Sequence, residues 1–249
     1  MFLRTGLALS AAWQLAACQA SAGDANCSPV LFEGSHFTVC AAQPGKHDIR
    51  LVDKGADGTP LRSLRAAAGR ADPDGKRLAF AMNAGMFDLN GLPIGLYVER
   101  GSQAKALNRR NGAGNFHLKP NGVFYGDITG WHVVTTDDFA ARRLARLDFA
   151  TQSGPMLVIK GELHPAFSAN GESLQLRNGV GVDAHGAAWF VISDQAVSFG
   201  RFARLFRDRL GCRNALYLDG AVSQLLDPAN GRTDDGAPLG PIVVVLRTR

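Results

Sequence analysis

The feature that most constrains the fold is a series of eleven short strand-like segments, spread from residue 36 to residue 247. Several are apolar throughout, such as Ile242–Leu246, and runs of this kind are typical of strands inside a sheet. The chain also has 29 glycines, which favour turns and close backbone approaches. The predicted strands are residues 36–41, 47–52, 78–82, 95–99, 121–125, 131–135, 155–159, 180–184, 187–193, 215–218 and 242–247.

Far fewer segments have a helical pattern. The predicted helices are residues 61–71, 138–147 and 199–210. The third is the clearest, because Phe199, Phe202 and Phe206 fall on one face and Gly211 follows as a stop signal. Helices interspersed among more numerous strands predict an α+β fold, with a large mixed β-sheet core and a few flanking helices. A length of 249 residues suits a single domain.

The amino terminus has the pattern of a secretory signal peptide. Arg4 precedes an apolar stretch over residues 7–12, and Leu15–Cys18 has the sequence of a lipoprotein box. We therefore expect a signal peptide over residues 1–18, a tether over 19–28 and one domain over 29–249. The expected location is the cell envelope or periplasm, with a lipid anchor on Cys18 holding the protein to the membrane. Ordinary cleavage after Ala22 is the alternative and would leave no anchor.

Export permits disulfide bonds, and three cysteines follow the predicted signal peptide. Cys27 and Cys40 flank Glu33–Ser35, a plausible hairpin turn, so we predict that these two are paired. Cys212 then remains as a buried small apolar residue.

The charge distribution argues against a nucleic-acid partner. The formal net charge is +5, but the basic residues are scattered and form no run of five or more. A modest positive field still attracts anionic substrates such as phosphates or acidic glycans.

The strongest local signal for chemistry is Leu216–Gly220. An apolar strand ends there in Asp219, and Gly220 lets the backbone approach a ligand closely. Ser223 follows four residues after Asp219 and is placed to serve the same site. A turn-forming Asp-Gly pair is the structural alternative.

Other segments repeat this arrangement of a strand next to small or polar residues. Asn83 and Gly85 follow one predicted strand, and Arg177 precedes another. An asparagine suits a sugar hydroxyl or a phosphate oxygen, and an arginine offers a bidentate fork to phosphate. The glycine-rich loop Asn111–His117 has backbone amides suited to an anion, although it lacks the ending of a P-loop.

The sequence has no His-Glu-x-x-His or paired-cysteine metal motif. Three carboxylates, Asp88, Asp183 and Asp219, are candidates to bind a hard divalent cation such as Ca²⁺ if the fold brings them together. No cofactor is firmly predicted.

Three of these segments, taken in order, resemble the phosphodiester glycosidase family. Asn83–Phe87 is similar to the family's Asn-Gly-Gly-Phe turn, and Arg177–Val182 is similar to its Arg-Thr-Ala-x-Gly segment. Leu218–Ser223 resembles its Leu-Asp-Gly-Gly-Gly-Ser, with Ala221 and Val222 in place of two glycines. The resemblance runs from about residue 78 to the C-terminus. Together with Gln152–Pro155, it points to a bacterial branch of exported proteins.

The resemblance implies an exported hydrolase that cleaves the sugar–phosphate linkage of a sugar-1-phosphodiester or a phosphorylated envelope glycan. Asp219, Arg177 and Asn83 are then expected to be catalytic. The expected substrate-binding residues are Ser223, Gly220, Gly85, Asn121, Gln152 and Ser153. A non-catalytic glycan-binding lipoprotein and a metal-dependent phosphodiesterase are the alternatives.

Overall fold

Short strands account for most of the regular structure. The computed structural model describes residues 26–142, 144 and 146–248. The predicted signal peptide, Cys18 and most of the predicted tether lie outside these residues. The strands are β1 (Cys27–Phe32), β2 (Ser35–Ala42), β3 (His47–Val52), β4 (Leu78–Asn83), β5 (Tyr97–Glu99), β6 (Ser102–Lys105), β7 (Gly122–Asp127), β8 (Gly130–Thr135), β9 (Phe149–Ser153), β10 (Met156–Ile159), β11 (Glu162–Leu163), β12 (Asn178–Asp183), β13 (Ala188–Ser193), β14 (Cys212–Tyr217), β15 (Leu225–Asp227), β16 (Arg232–Thr233) and β17 (Ile242–Arg247).

These strands form three sheets in the described part of the chain. The first has the order β1-β2-β13-β12-β14-β10-β11, the second β16-β15-β4-β17-β3, and the third β6-β5-β9-β7-β8. The predicted α+β class is confirmed, with strand predominating. The core differs from the expected mixed sheet, because it is divided among three sheets whose strand pairs are antiparallel.

The helices are shorter than the sequence suggested. They are α1 (Leu64–Ala71), α2 (Thr136–Ala141) and α3 (Phe199–Arg204), and α3 continues as a π-helical turn over Leu205–Arg209. The second was expected at 138–147, but it begins two residues earlier because the side chain of Thr135 caps it by accepting a hydrogen bond from Asp138 N. Within the described residues, no helix is long and apolar enough to cross a membrane.

An aromatic cluster joins the three sheets at the centre of the core. Phe80 of β4, Phe124 of β7 and Phe190 of β13 come from different sheets, and all three are almost completely buried. The ring centroids of Phe80 and Phe190 lie 5.4 Å apart, and those of Phe124 and Phe190 lie 5.7 Å apart, both in edge-to-face contact. Such pairs contribute about 0.5–1.5 kcal/mol beyond the burial of their area. The sheets therefore share one core.

The predicted cysteine pairing is confirmed. Cys27 and Cys40 face each other across the β1–β2 hairpin and form a disulfide, with their Cα atoms 3.9 Å apart. Cys212 is an unpaired, buried thiol in β14, as expected, and burial raises its pKa. The bond fastens β1, an edge strand of the seven-stranded sheet, to its neighbour.

Candidate active site

Asp219 lies just beyond the end of β14 and is fixed through its backbone. Its N–H donates to the carbonyl of Ala84 at 3.1 Å, and its own carbonyl accepts from Asn83 Nδ2 at 2.7 Å. The strand-end segments that carry Asn83 and Asp219 therefore meet, although they belong to different sheets. Two residues that were predicted to share a site are in direct contact.

The side chain of Asn83 is a junction between three segments. It is 1% exposed, and its Oδ1 accepts from Asn178 Nδ2 and from Gln224 N, both at 2.9 Å. Its Nδ2 bonds Asp219 as described above. An amide with these partners is not open to a phosphate group, so Asn83 acts on the site by holding the backbone of Asp219.

The carboxylate of Asp219 is half-buried, and burial raises its pKa above the ordinary value, partly offset by a hydrogen bond from the backbone N–H of Ala221. Among the described residues no cation lies within ion-pair distance of it. A carboxylate that is desolvated but unpaired holds a proton more tightly than usual, which suits it to proton transfer.

Arg177 is buried rather than open to solvent. It is 1% exposed, with Nε donating to Val197 O and Nη2 to Ser173 O, both at 2.8 Å. The guanidinium carbon lies 3.5 Å from the centroid of the Phe199 ring. These contacts satisfy much of the guanidinium, so the expected bidentate grip on phosphate is not what the structure presents.

Tyr217 lies between Arg177 and Asp219, and the sequence interpretation missed it. The guanidinium carbon of Arg177 lies 5.6 Å from the centroid of the Tyr217 ring, and the Tyr217 hydroxyl lies beside the backbone of Gly220. Burial raises the pKa of Tyr217, Arg177 opposes that rise, and the charge of Asp219 adds to it. A side chain at Gly220 would collide with this hydroxyl, so glycine is required there. Residues two apart on an extended chain share a side, and that spacing was the available signal.

The second glycine of the predicted site also permits a close approach. A Cβ at Gly85 would lie 2.5 Å from both Gln152 O and Thr151 Oγ1. The turn after β4 therefore packs directly on the end of β9. This contact brings Gln152 and Ser153 next to the segment that holds Asp219.

Two buried polar atoms in this region have no hydrogen-bond partner among the described residues. They are Ser153 Oγ and Asn178 Oδ1, and both side chains are fully enclosed. Buried polar atoms are normally paired, and exceptions are often satisfied by water or a ligand. Asn178, which replaces the family's Thr, is a second residue that the sequence interpretation did not single out for the site.

The remaining predicted residues support the backbone. Ser223 Oγ donates to the carbonyl of Gly220 at 2.9 Å, which stabilises the turn after Asp219. Asn121 donates from Nδ2 to Phe116 O at 2.9 Å, and a Cβ at Gly154 would lie 2.6 Å from Asn121 Cβ. Asn121 therefore belongs to the packing beside Ser153.

The three carboxylates considered for a cation do not meet. Asp88 Oδ1 accepts from the backbone of Asn90 and Leu92, and Asp183 is bonded within its own hairpin, so both serve as turn residues. In residues 26–142, 144 and 146–248, no group of three or more His, Cys, Asp or Glu side chains is placed to hold a metal ion. The expected ligand set is therefore wrong.

Concave surface is found beside this cluster rather than at its centre. Five of the cavities among the described residues have volumes of about 190–360 Å³, and Asp219 lines none of these five. Asn121 alone of the predicted catalytic and substrate-binding residues borders one, of about 260 Å³. We place the site at Asp219 because the predicted residues converge there, whereas cavity volume alone carries no chemistry.

Comparison with known proteins identifies the family of the chain. A sequence model described as phosphodiester glycosidase matches residues 76–246, which include β4, β9, β12 and β14. The uncharacterised protein YigE of Escherichia coli K12 is 38% identical over 184 residues, covering 73% of this chain and 70% of YigE.

Solved structures share the fold at low sequence identity. The catalytic domain of zebrafish N-acetylglucosamine-1-phosphodiester alpha-N-acetylglucosaminidase, auto-inhibited by its pro-peptide, is 17% identical, with a TM-score of 0.59 over 90% of this chain and 82% of that one. A putative exported protein of Burkholderia pseudomallei is 12% identical, with a TM-score of 0.57 over 85% of this chain and 74% of that one. The family match, which spans more than half of the sequence, and the likeness to YigE lead to one conclusion: the chain belongs to the phosphodiester glycosidase family.

Proposed function

We propose that this protein is a hydrolase that cleaves the sugar–phosphate linkage of a sugar-1-phosphodiester. One observation carries the proposal: Asp219 is a half-buried carboxylate with no ion-pair partner in the described part of the chain, and it is fixed where the family's motifs meet. The zebrafish enzyme that shares the fold is named for a reaction of this class. A phosphorylated envelope glycan is the expected form of the substrate.

In this mechanism Asp219 is the catalytic carboxylate. It either removes a proton from the attacking water or supports positive charge on the sugar ring as the phosphate departs. Desolvation strengthens both effects, because the charge is less screened than in water. The backbone contacts from Asn83 and Ala84 keep the carboxylate in position.

The phosphate is stabilised through Tyr217. Its ring lies beside the Arg177 guanidinium and its hydroxyl beside Gly220, and the phenolic proton is the proposed donor to a phosphate oxygen. Arg177 makes this proton a stronger donor without touching the substrate. Electrostatic stabilisation of the departing charge is the expected main contribution of these groups.

We further propose that the protein is exported. The Cys27–Cys40 disulfide supports this location, because such bonds persist in oxidising compartments. The lipoprotein-type sequence ending at Cys18 supports anchoring to the membrane of the cell envelope. Lipid attachment is tested by the mass of the protein purified from membranes, compared with a Cys18→Ser variant.

The decisive experiment is incubation of the purified protein with a panel of sugar-1-phosphodiesters, with and without a chelator, followed by mass spectrometry. Released free sugar, abolished in a folded Asp219→Asn variant, is the expected result. Sugar phosphate that disappears with chelator would instead identify a metal-dependent phosphodiesterase. Saturable glycan binding without any product would identify a binding protein. Full activity in Asp219→Asn would remove the proposed role of the carboxylate.

A further inference from the structure

Four exposed cations form a basic face beside the candidate site: Lys105, Arg109, Arg110 and Lys119. Two cavities open on this face. The first, of about 260 Å³, is bordered by Arg109 and Lys119, and the second, of about 300 Å³, by Lys105, Arg109 and Arg110. Arg109 belongs to both walls, so the two cavities lie side by side. Each is the size of a small ligand group rather than of a whole glycan.

The positive charge of the basic face is mostly unopposed. Arg109 Nη2 lies 3.1 Å from Asp137 Oδ1, but both side chains are largely exposed, and such pairs are weak. Lys119 Nζ donates to a carbonyl and to an amide oxygen rather than to a carboxylate. Lys105 and Arg110 have no ion-pair partner in the described part of the chain. Asp137 also lines the first cavity, whereas the charged residues that line the second are all cations, and concave surface of one sign attracts the opposite sign.

Gln152 connects the basic face to the strand that ends at Ser153. Its Oε1 accepts the backbone N–H of Asn108 at 2.9 Å, and its Nε2 donates to the carbonyl of the same residue at 2.7 Å. Nε2 also donates to Thr136 Oγ1 at 3.1 Å, and Thr136 lines the first cavity. Gln152 is 1% exposed, so it does not meet a ligand itself. It holds the segment with Lys105 to Arg110 against β9, immediately before Ser153.

A second residue of the first cavity wall, Asn121, packs next to the candidate site. Asn121 lines this cavity and packs against Gly154, the residue after Ser153. The glycine-rich loop that follows Arg110 is exposed, and His117 Nδ1 lies 3.1 Å from the carbonyl of Arg110, which ties the loop to the basic face. The basic face is thus continuous with the region that contains the unpartnered Ser153 hydroxyl.

We propose that the basic face is a subsite for a second phosphate group of the substrate. This phosphate lies one or more repeating units of the glycan away from the linkage that is cleaved. The inference rests on the proposed function and deepens it. The substrate class becomes a glycan that carries several phosphate groups, rather than a single phosphodiester with no other charged group. Arg109 and Arg110 supply charge-assisted hydrogen bonds to phosphate oxygens, and Lys105 and Lys119 act as point charges. The concave shape favours a phosphate group over a flat lipid surface.

The test compares two double variants that remove the same charge. K105Q/R110Q removes two cations of the basic face whose side chains form no hydrogen bond within the described residues, and R65Q/K76Q removes two exposed cations elsewhere. Isothermal titration with inorganic tripolyphosphate is expected to give about tenfold weaker affinity for K105Q/R110Q and a change of less than about twofold for R65Q/K76Q. Equal losses in both variants, or no binding by the original protein, would overturn the proposal.

Hydrolysis supplies an independent readout. With a sugar-1-phosphodiester whose leaving group carries an extra phosphate, K105Q/R110Q should raise KM about tenfold, and with a neutral leaving group KM should stay unchanged. If neither substrate is hydrolysed, the proposed function is wrong. The tripolyphosphate affinities still test the phosphate subsite independently. Binding to phosphatidylglycerol vesicles that K105Q/R110Q abolishes, without tripolyphosphate binding, would assign this face to the membrane instead.

Discussion

Asn83 donates a hydrogen bond of 2.7 Å from its side-chain amide to the backbone carbonyl of Asp219, which lies 136 residues further along the chain. The same side chain accepts hydrogen bonds from Asn178 and from the backbone N–H of Gln224. One buried amide therefore fixes both the backbone of Asp219, the proposed catalytic residue, and the strand that follows it. Each partner would be left unsatisfied if that amide were removed.

An Asn83→Ala variant is expected to lose about 1–3 kcal/mol of unfolding free energy, because buried donors lose their acceptor. Urea unfolding followed by circular dichroism measures this change. Asn90→Ala is the matched control, since Asn90 is exposed and its side chain has no recorded hydrogen bond; a change below about 0.5 kcal/mol is expected there. Equal stability of the two variants would contradict the role of Asn83 as a junction.

The raised pKa of Asp219 predicts the acid side of the pH–rate profile. If the ionised carboxylate is the active form, kcat/KM falls as the pH drops through this pKa, and the midpoint lies above the ordinary aspartate value of 3.8. A series of initial rates from pH 3 to pH 8 locates the midpoint. An Asp74→Asn variant, changed at an exposed site, should leave the profile where it is. A rate that rises on acidification would mean that the protonated form is active.

Removal of the Tyr217 hydroxyl is expected to reduce kcat about tenfold or more without unfolding the protein, because the departing phosphate loses a donor. The Tyr217→Phe variant retains the ring beside Arg177. Tyr125→Phe is the control: Tyr125 also lies beside an arginine, with its Oη accepting from Arg142 Nη1 at 3.1 Å, but it belongs to the third sheet. Unchanged kcat in Tyr217→Phe would show that Arg177 is only a structural cation.

Asp53 gives a pH dependence of stability that is independent of the active site. Burial raises its pKa to about 6, and its Oδ1 has no hydrogen-bond partner among the described residues. The folded state binds this proton more tightly than the unfolded state, so the stabilisation is complete below about pH 3.8 and is lost as the pH rises through about 6.

An Asp53→Asn variant is therefore expected to have an unfolding free energy about 1–2 kcal/mol higher than that of the original protein at pH 7. At pH 4 the two unfolding free energies should be nearly equal. Thermal unfolding at the two pH values measures the difference. Asp74→Asn again serves as the exposed control. A gain of the same size at both pH values would exclude ionisation of Asp53 as the cause.

The sequence predicted strands well where apolar residues are continuous. β17 was placed at its observed bounds, and β4 and β13 within one residue of theirs. β9 was missed because Thr151, Gln152 and Ser153 are polar yet fully buried, and a polar segment gives no hydrophobic pattern. Its burial depends on partners far away in the chain, such as Asn108 and Gly85.

The sequence predicted that Asn83 and Asp219 lie together, but it did not predict the contacts that each side chain makes. Residue type placed Arg177 and Asn83 near Asp219, but both were expected to contact phosphate directly. The stacking of Arg177 on Phe199 and the triple bonding of Asn83 depend on how separate strands meet, and no local pattern encodes that. Because Arg177 and Asn83 are buried, they position neighbouring residues instead of contacting phosphate themselves.

The order of strands in the sheets also determines when the chain is able to fold. β3 pairs only with β17 in its sheet, so residues 47–52 find their partner in residues 242–247, at the other end of the protein. β2 likewise needs β13. Pairing over such separations carries a large loop-closure cost and is slow. During synthesis, amino terminus first, β2 and β3 remain without these partners until residues 188–193 and 242–247 have been added.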